Sequence, residues 1–321
     1  MDCPAPGKAV PAPLVMTARP ARSDVAAIVV AAGSGSRSGQ ALPKQFALWR
    51  GKPLVRHSVE ALASAGTWPL VVVIPADARF AGVMASRDPI TVAGLPIAAA
   101  FFRALDPAVE ITLLVEDGTR VPANTELMRL SGLARAMLTA ERSALNSVQH
   151  LSGIATLTRS YVDAMGTTKA RLLDTRKTIP GLRILEKYAV RMGGGHNHRM
   201  GLWDAAMIKD NHVAVAGGVA EAVRRALAAG VTEVICEVDR LDQIEPALAA
   251  GATRLLLDNM GPAMLRKAVG IVAGRVRCEA SGGVRLDTIG AIAASGVDYV
   301  SVGRLTQSAP AADIGLDFKL V

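Results

Sequence analysis

The chain has 321 residues, half of them hydrophobic and only 3% aromatic, and its formal net charge is +8. This length predicts about two domains with a sizeable core. The charge favours small anionic substrates over nucleic acid, because aromatics for stacking are scarce and the sequence shows no helix-turn-helix signature and no long basic block. No apolar run is long enough to span a membrane. Three cysteines that match neither a zinc motif nor a disulfide framework favour a reducing cytoplasm.

Three segments precede the more regular half of the chain. Residues 1–23 are rich in proline and alanine and are expected to form a flexible leader. Residues 24–75 predict one βαβ unit, in which a short strand, a glycine-rich loop and an amphipathic helix lead to a second strand. Residues 76–150 combine short strands, tight turns and helix, which is typical of a small α+β layer. A long helix is predicted over 134–166.

From residue 151 to residue 321, short apolar strands alternate with helices, several of which end in Ala-Gly or Ser-Gly. Repeated strand–helix units predict parallel strands, in a barrel or a doubly wound sheet. The predicted strands are AAMIKD, VICEVD, RLLLDN, VRCEAS and YVSVGR.

Charged residues stand where the predicted strands end: Lys209, Glu237, Asp258 and Glu279. In a β/α barrel the carboxyl ends of the strands form the functional face, so these side chains are expected to converge there. Glycine-bearing turns at 281–284 and 301–308 follow the last two strands, which is the usual barrel position for a bound phosphate.

A dense charged cluster occupies the 36 residues that end in the first predicted strand, AAMIKD: Asp174, Arg176, Lys177, His198, Arg199 and Lys209. Guanidinium forks suit carboxylates and phosphates because they donate two parallel hydrogen bonds. A solvated charged face is the alternative interpretation, but three glycines directly before His196 favour close approach of a ligand. Since no third metal ligand accompanies His196 and His198, we assign His196 a structural role.

From about residue 75 to residue 321 the chain resembles the quinolinate phosphoribosyltransferases, also called decarboxylating nicotinate-nucleotide diphosphorylases. Seven motifs stand in family order: ERSALNSVQHLSGIAT, DTRKTIPGLR, KYAVRMGGGHNHRMGLWDAAMIKDNH, CEVD, LLLDNM, EASGGV and SVGRLTQS. The resemblance implies an α/β fold with an incomplete β/α barrel and a small N-terminal α+β sandwich layer. It also implies a homodimer, or a higher homo-oligomer, in which one subunit's N-terminal part completes the other's site.

The implied activity is that of a pentosyltransferase of NAD biosynthesis. Quinolinate and phosphoribosyl pyrophosphate would give nicotinate mononucleotide, pyrophosphate and carbon dioxide. Matching the motifs residue by residue assigns these residues to substrate binding: Arg142, Thr175, Arg176, Lys177, His198, Arg199, Lys209, Ser281, Gly282, Gly283, Gly303, Arg304 and Leu305. Lys177, Lys209, Glu237 and Asp258 would be catalytic, and the two carboxylates would also hold Mg²⁺, partly through the substrate. Arg304 departs from the family, in which many members have alanine.

Residues 24–75 resemble a different family, the methylerythritol-phosphate cytidylyltransferases. The carrying stretch is AIVVAAGSGSRSGQALPKQFALWRGKPLVRHSVEAL, in which Arg37 and Lys44 would contact a triphosphate. Later elements of that family are not visible, and the usual start of the phosphoribosyltransferase is replaced. The sequence therefore predicts a fusion joined within residues 71–78. It leaves open an active phosphoribosyltransferase, an impaired chimera that only binds ligands, and a bifunctional cytidylyltransferase fusion.

Overall fold

The computed structural model describes residues 14–15, 27–30, 48–49, 52–64, 70–73 and 78–320. The elements before residue 78 are β1 (Leu14–Val15), β2 (Ala27–Val30), β3 (Leu48–Trp49), β4 (Lys52–Pro53), α1 (Leu54–Ser64) and β5 (Leu70–Val73). Strand β5 pairs in parallel with β2 and antiparallel with β1. The predicted βαβ unit is therefore present. The glycine-rich loop, with Arg37 and Lys44, lies outside the described residues, as does most of the predicted leader.

The α+β layer follows as predicted. Its elements are β6 (Arg79–Ser86), β7 (Ile90–Thr91), α2 (Leu95–Leu105), β8 (Glu110–Leu113), β9 (Arg120–Val121), β10 (Glu126–Leu133) and α3 (Ala134–Ala164). Strand β10 pairs antiparallel with β6 on one side and β8 on the other. Met84, Leu127 and Phe102 are fully buried between this sheet and the two helices, since the strands alternate apolar and polar faces.

Six parallel strands form the second layer, in the order β11-β16-β15-β14-β13-β12. The elements after α3 are β11 (Arg171–Leu173), α4 (Arg183–Met192), β12 (Ala206–Ile208), α5 (Asp210–Ala216), α6 (Val219–Ala228), β13 (Val234–Val238), α7 (Ile244–Ala249), β14 (Arg254–Asp258), α8 (Pro262–Val272), β15 (Arg277–Ser281), α9 (Ile289–Ala293), β16 (Tyr299–Ser301), α10 (Arg304–Gln307) and β17 (Ile314–Leu320).

Strands β11 and β12 stand at the two ends of this sheet and are not paired with each other, so the barrel is incomplete, as predicted. Leu255, Leu257 and Val300 are buried on the face of the sheet that packs against the helices, whereas Ile235 and Leu256 form a smaller buried cluster on the inner face. Cys236 and Cys278 belong to the same core as Leu255 and are free thiols. Strand β11 and helix α5 were not expected from the sequence, because each is too short to show a clear periodicity.

Two features join the layers. Strand β17 returns from the barrel and pairs antiparallel with β6, with Leu316 opposite Met84. Helix α3 runs through both cores, and Gly153 on it allows the chain at Pro310 to pass directly against the helix, because a Cβ at residue 153 would lie 2.1 Å from the carbonyl oxygen of Pro310. Among the residues that the structure describes, no helix is long and apolar enough to cross a membrane.

Candidate functional site

A cavity of about 900 Å³ opens at the carboxyl ends of the barrel strands. Its lining includes six arginine and lysine side chains and four carboxylates: Arg176, Lys177, Arg199, Lys209, Arg285, Arg304, Asp210, Glu237, Asp258 and Glu279. The polar strand ends predicted from the sequence therefore do converge on one pocket. A cavity of this size accommodates a ligand larger than a single small acid.

One part of the cavity lining carries two guanidinium groups that lie close together. Arg176 is half-buried, and its Nε atom is buried without a hydrogen-bond partner. Burial lowers the pKa of Arg199, and the positive charge of Arg176 lowers it further. Two cations held close together in this way attract an anion, since a carboxylate would relieve their repulsion and satisfy the open donor.

A pair of carboxylates lines another part of the cavity. Glu237 and Asp258 lie at the ends of the neighbouring strands β13 and β14. Burial raises the pKa of each group, and the charge of Lys209 partly offsets this. The Nζ atom of Lys209 lies 3.5 Å from Oε2 of Glu237. This part of the cavity therefore presents negative charge to a developing cation, with a lysine beside it that suits an anionic leaving group.

The glycine-bearing turn Ser281–Gly283 lines the same cavity. The backbone of Gly282 has φ of 90°, and a Cβ there would lie 2.2 Å from Oδ1 of Asn259. Asn259 itself has φ of 55°, donates its backbone N–H to the carbonyl oxygen of Ser281, and donates Nδ2–H to Oδ2 of Asp258 at 2.6 Å. Asn259 therefore ties an acidic residue to the glycine turn. The sequence analysis quoted its motif without giving this residue a role.

A buried ion pair between Lys187 and Asp174 anchors the chain segment that carries His198. The Nζ atom of Lys187, a side chain only 1% exposed, lies 2.5 Å from Oδ1 of fully buried Asp174 and donates to the carbonyl oxygen of His198 at 2.9 Å. Asp174 also accepts the backbone N–H of His198 and an N–H of Asn197. The predicted ligand-binding cluster thus contains one residue, Asp174, that serves the structure.

The loop that carries Arg176 and Lys177 is fixed at two further points. Buried Glu186 faces Nε2 of His150 at 2.8 Å and accepts the backbone N–H of Ile179 at 3.2 Å. Thr306 donates its hydroxyl to the carbonyl oxygen of Lys177 at 2.7 Å. The loop is therefore attached both to helix α4 and to the start of helix α10.

Most residues assigned from the sequence line the cavity, and two of them, Arg142 and Leu305, are placed differently. Arg142 lies on helix α3 and is not among the lining residues. The side chain of Leu305 is fully buried in the core, which leaves only its backbone for ligand contact. His196, which the sequence analysis did not assign to ligand binding, is exposed, and its backbone pairs with that of Leu173.

Glu237 and Asp258 are the residues that suit a magnesium ion. Mg²⁺ commonly uses one or two carboxylates together with substrate phosphates and water, rather than a cage made by the protein alone. The described residues contain no cluster of three or more potential metal ligands, so a cation here would depend on substrate oxygens. The donor set fits that mode of binding.

A pocket of this kind at the carboxyl face of a β/α barrel is that of an enzyme acting on anionic substrates. Two family models, the N-terminal and the C-terminal domain of quinolinate phosphoribosyl transferase, match residues 63–152 and 154–317. The chain therefore belongs to the quinolinate phosphoribosyltransferase family. The family models begin at residue 63, inside the helix of the βαβ unit.

Relatives and solved structures agree with this assignment. A nicotinate-nucleotide pyrophosphorylase [carboxylating] from Mycobacterium leprae is 46% identical over 76% of this chain and 88% of its own length. A quinolinate phosphoribosyltransferase [decarboxylating] from Nicotiana tabacum is 39% identical over 76% of this chain and 75% of its own. The crystal structure of NadC from Streptococcus pyogenes matches with a TM-score of 0.74, at 39% identity, over 77% of this chain and 88% of that one.

Proposed function

We propose that this chain joins quinolinate to phosphoribosyl pyrophosphate and releases nicotinate mononucleotide, pyrophosphate and carbon dioxide, as a step of NAD biosynthesis. The observation that carries the proposal is that one cavity is lined both by the guanidinium groups of Arg176 and Arg199 and by the carboxylates of Glu237 and Asp258. The two guanidinium groups suit an acceptor with two carboxylates, and the two carboxylates suit a ribosyl centre that gains positive charge.

The acceptor would bind with its carboxylates against Arg176 and Arg199, and with Lys209 near the leaving group. Attack of the ring nitrogen on the ribose carbon breaks the carbon–oxygen bond to pyrophosphate and makes a pyridinium. The bond between the ring and the adjacent carboxylate then breaks as carbon dioxide leaves. Its electron pair stays on the ring carbon, where the cationic nitrogen stabilises it, and that carbon takes up one proton.

The remaining residues would hold the sugar donor. Backbone N–H groups of Ser281–Gly283 and of the turn at Gly303 would take the 5′-phosphate, with Arg304 and Thr175 beside it. Glu237 and Asp258 would stabilise the ribosyl cation and bind the ribose hydroxyls. When bound between these carboxylates and the pyrophosphate, Mg²⁺ would neutralise charge on the leaving group.

The test is pyrophosphate release by the purified full chain. Release should require both quinolinate and phosphoribosyl pyrophosphate, and nicotinate should not replace quinolinate, because it lacks the carboxylate that the second guanidinium would bind. Adding a chelator and then restoring Mg²⁺ should abolish and recover the rate. Release that does not depend on quinolinate would contradict the proposal.

Arg176→Ala is expected to lower kcat/KM for quinolinate by at least about tenfold, because a charge-assisted, two-pronged contact with a carboxylate would be lost. Steady-state kinetics with quinolinate as the varied substrate measures this. Arg277→Ala is the matched control, since Arg277 is a largely exposed arginine at the amino end of strand β15. An Arg176→Ala enzyme as active as the control would mean that Arg176 does not bind the acceptor.

Lys209→Met is expected to move the acidic limb of the kcat profile to higher pH. Glu237 and Asp258 must be ionised to stabilise a cation, burial raises the pKa of both, and Lys209 lowers both. Removing Lys209 therefore raises both pKa values further, so activity is lost at a higher pH as the solution is acidified. The measurement is kcat from pH 4 to pH 8, with Lys169→Met as the control. An acidic limb that stays in place or moves to lower pH would show that Lys209 does not lower the pKa values of Glu237 and Asp258.

We infer that the active form is a homodimer, or a higher homo-oligomer, in which Arg142 reaches the partner's cavity. Arg142 is a predicted acceptor ligand that does not line the cavity of its own chain. The exposed apolar side chains Ile184, Leu202 and Trp203 provide a surface for a second copy. Mixing inactive Arg142→Ala and Glu237→Ala chains should restore activity through hybrid dimers, and a lack of complementation would contradict the shared site.

We propose that residues 1–23 form a leader, 24–75 a cytidylyltransferase-like fragment, 76–150 the α+β layer and 151–321 the catalytic barrel of a cytoplasmic enzyme. Among the described residues before residue 78 there is one βαβ unit, in a sheet of three strands of which only β2 and β5 are parallel, and so small a sheet does not make a nucleotide site by itself. Pyrophosphate release from cytidine triphosphate and methylerythritol phosphate should therefore be absent. Its presence would show that the fragment is active.

A further inference from the structure

A buried glutamate forms part of the cavity wall where an anion is proposed to bind. Glu279 lies on strand β15, its side chain is 0% exposed, and neither of its oxygens has a fully aligned hydrogen bond. Its Oε2 atom lies 3.2 Å from Nε2 of His198 and 3.5 Å from Nη1 of Arg254. A buried, ionised carboxylate is costly and would repel a dicarboxylate, so its presence calls for a role.

The charge of Glu279 is balanced inside the protein. Burial on its own raises the pKa of Glu279, but His198, Ser301 and Arg254 outweigh burial, and the pKa lies below its usual value. Arg254 is also fixed, because it pairs with Glu233 and stacks over the ring of Tyr299 at 5.0 Å. Glu279 is therefore a carboxylate held in one position, and of its two ion-pair partners His198 lies closer than Arg254.

The hydrogen bonds of His198 determine where its ring proton lies. The Nδ1 atom accepts the backbone N–H of Arg199 at 2.6 Å, so Nδ1 carries no proton. The proton of the neutral ring must then be on Nε2, which faces Glu279. The contact is loosely aligned, as hydrogen bonds in unligated active sites often are. Both ring nitrogens are thus directed at protein groups.

We propose that Glu279 is a positioning residue for the acceptor site: it holds His198 in the Nε2–H tautomer, and Nδ1 of His198 in turn fixes the backbone of Arg199. A second anchor completes this arrangement, since Nη1 of Arg199 donates to the carbonyl oxygen of Ala205 at 2.9 Å. Glu279 acts on the substrate through His198 and Arg199. This inference rests on the proposed function, in which Arg199 binds a carboxylate of quinolinate.

Glu279→Gln tests the proposal with a side chain of the same size. The uncharged amide oxygen of a glutamine accepts Nε2–H more weakly than a carboxylate does, and an amide N–H that faces Nε2 instead moves the ring proton to Nδ1 and breaks the bond from Arg199. The KM for quinolinate should rise at least about tenfold, while the KM for phosphoribosyl pyrophosphate changes less than about twofold. In a double variant with His198→Asn, the loss should not exceed that of His198→Asn alone, because both changes break the same connection.

Asp298→Asn is the matched control. Asp298 is another largely buried acid of the barrel; it accepts the backbone N–H of Cys278 and pairs with Arg277 at the opposite end of strand β15. This variant should lower the melting temperature without changing the KM for quinolinate. The positioning role would be overturned if Glu279→Gln raised both KM values equally and lowered the melting temperature. Losses that add up in the double variant with His198→Asn would overturn it as well.

Nitrogen NMR of protein labelled at histidine gives a readout that does not need turnover. The His198→Asn variant assigns the His198 signals among the five histidines. Wild-type protein should show the neutral Nε2–H tautomer, and Glu279→Met, which offers Nε2–H no acceptor, should lose it. An unchanged tautomer in Glu279→Met would overturn the inference. If the wild type shows the expected tautomer but no quinolinate-dependent turnover, the proposed function fails while the link between Glu279 and His198 stands.

Discussion

Replacing Glu237 with glutamine is expected to lower kcat by a factor of about 10²–10³, the effect typical of removing one preorganised electrostatic stabiliser of a transition state. Glu237 lies at the end of strand β13 with a side chain only 16% exposed, next to Asp258 and within 3.5 Å of Lys209. In this environment its charge acts through little water. The KM for quinolinate should change far less than kcat, since the charge matters most as pyrophosphate leaves.

Steady-state kinetics with each substrate varied in turn measures both effects. Glu245→Gln is the control, because Glu245 is an exposed acid on helix α7 that pairs with Arg275 on the barrel's outer side. Glu245→Gln should keep nearly full activity. If Glu237→Gln lost less than about threefold in kcat, Glu237 would not stabilise the ribosyl cation.

Lys187→Met is expected to lower the free energy of unfolding by about 3–5 kcal/mol, the usual cost of leaving one member of a buried ion pair unpaired. Asp174 is fully buried against Lys187, and burial raises the pKa of Asp174 while Lys187 lowers it. Without the lysine that pKa rises further. Because the folded state then binds a proton that the unfolded state releases, the loss of stability should grow as the pH rises above the ordinary pKa of an aspartate.

Urea unfolding at several pH values measures this effect. Adding Asp174→Asn to Lys187→Met should recover a large part of the loss, since no buried charge would remain. Lys169→Met is the control, because the Lys169 side chain is 65% exposed and its ion pair with Asp298 contributes little. A Lys187→Met protein as stable as the control would show that the buried pair does not stabilise the segment that carries His198.

The barrel could be predicted because each of its strands can be recognised from a short stretch of sequence. Each strand is a short apolar run that ends in a polar residue, as in the runs before Glu237 and Asp258, and parallel strands place those ends on one face. The resemblance to the phosphoribosyltransferases, which two family models confirm, then indicated which residues would bind the substrate anions. Local pattern and family motif pointed to the same face of the same layer.

What could not be predicted depends on contacts between distant segments. Nothing near Lys187 in the sequence indicates that it is buried against Asp174, and a lysine on a helix is normally exposed. Asn259 adopts positive φ, so that it faces Gly282, a contact that only the folded turn creates. Glu279 was recognised as a strand end, but its neighbours His198 and Arg254 come from elsewhere in the chain.

The most direct test of the central claim uses quinolinate labelled with carbon-13 in the carboxylate next to the ring nitrogen. The full chain, phosphoribosyl pyrophosphate and Mg²⁺ should release labelled carbon dioxide, pyrophosphate and nicotinate mononucleotide in equal amounts, and Glu237→Gln should slow all three together. Pyrophosphate formed without labelled carbon dioxide, or no turnover by the folded protein with both substrates present, would contradict the account.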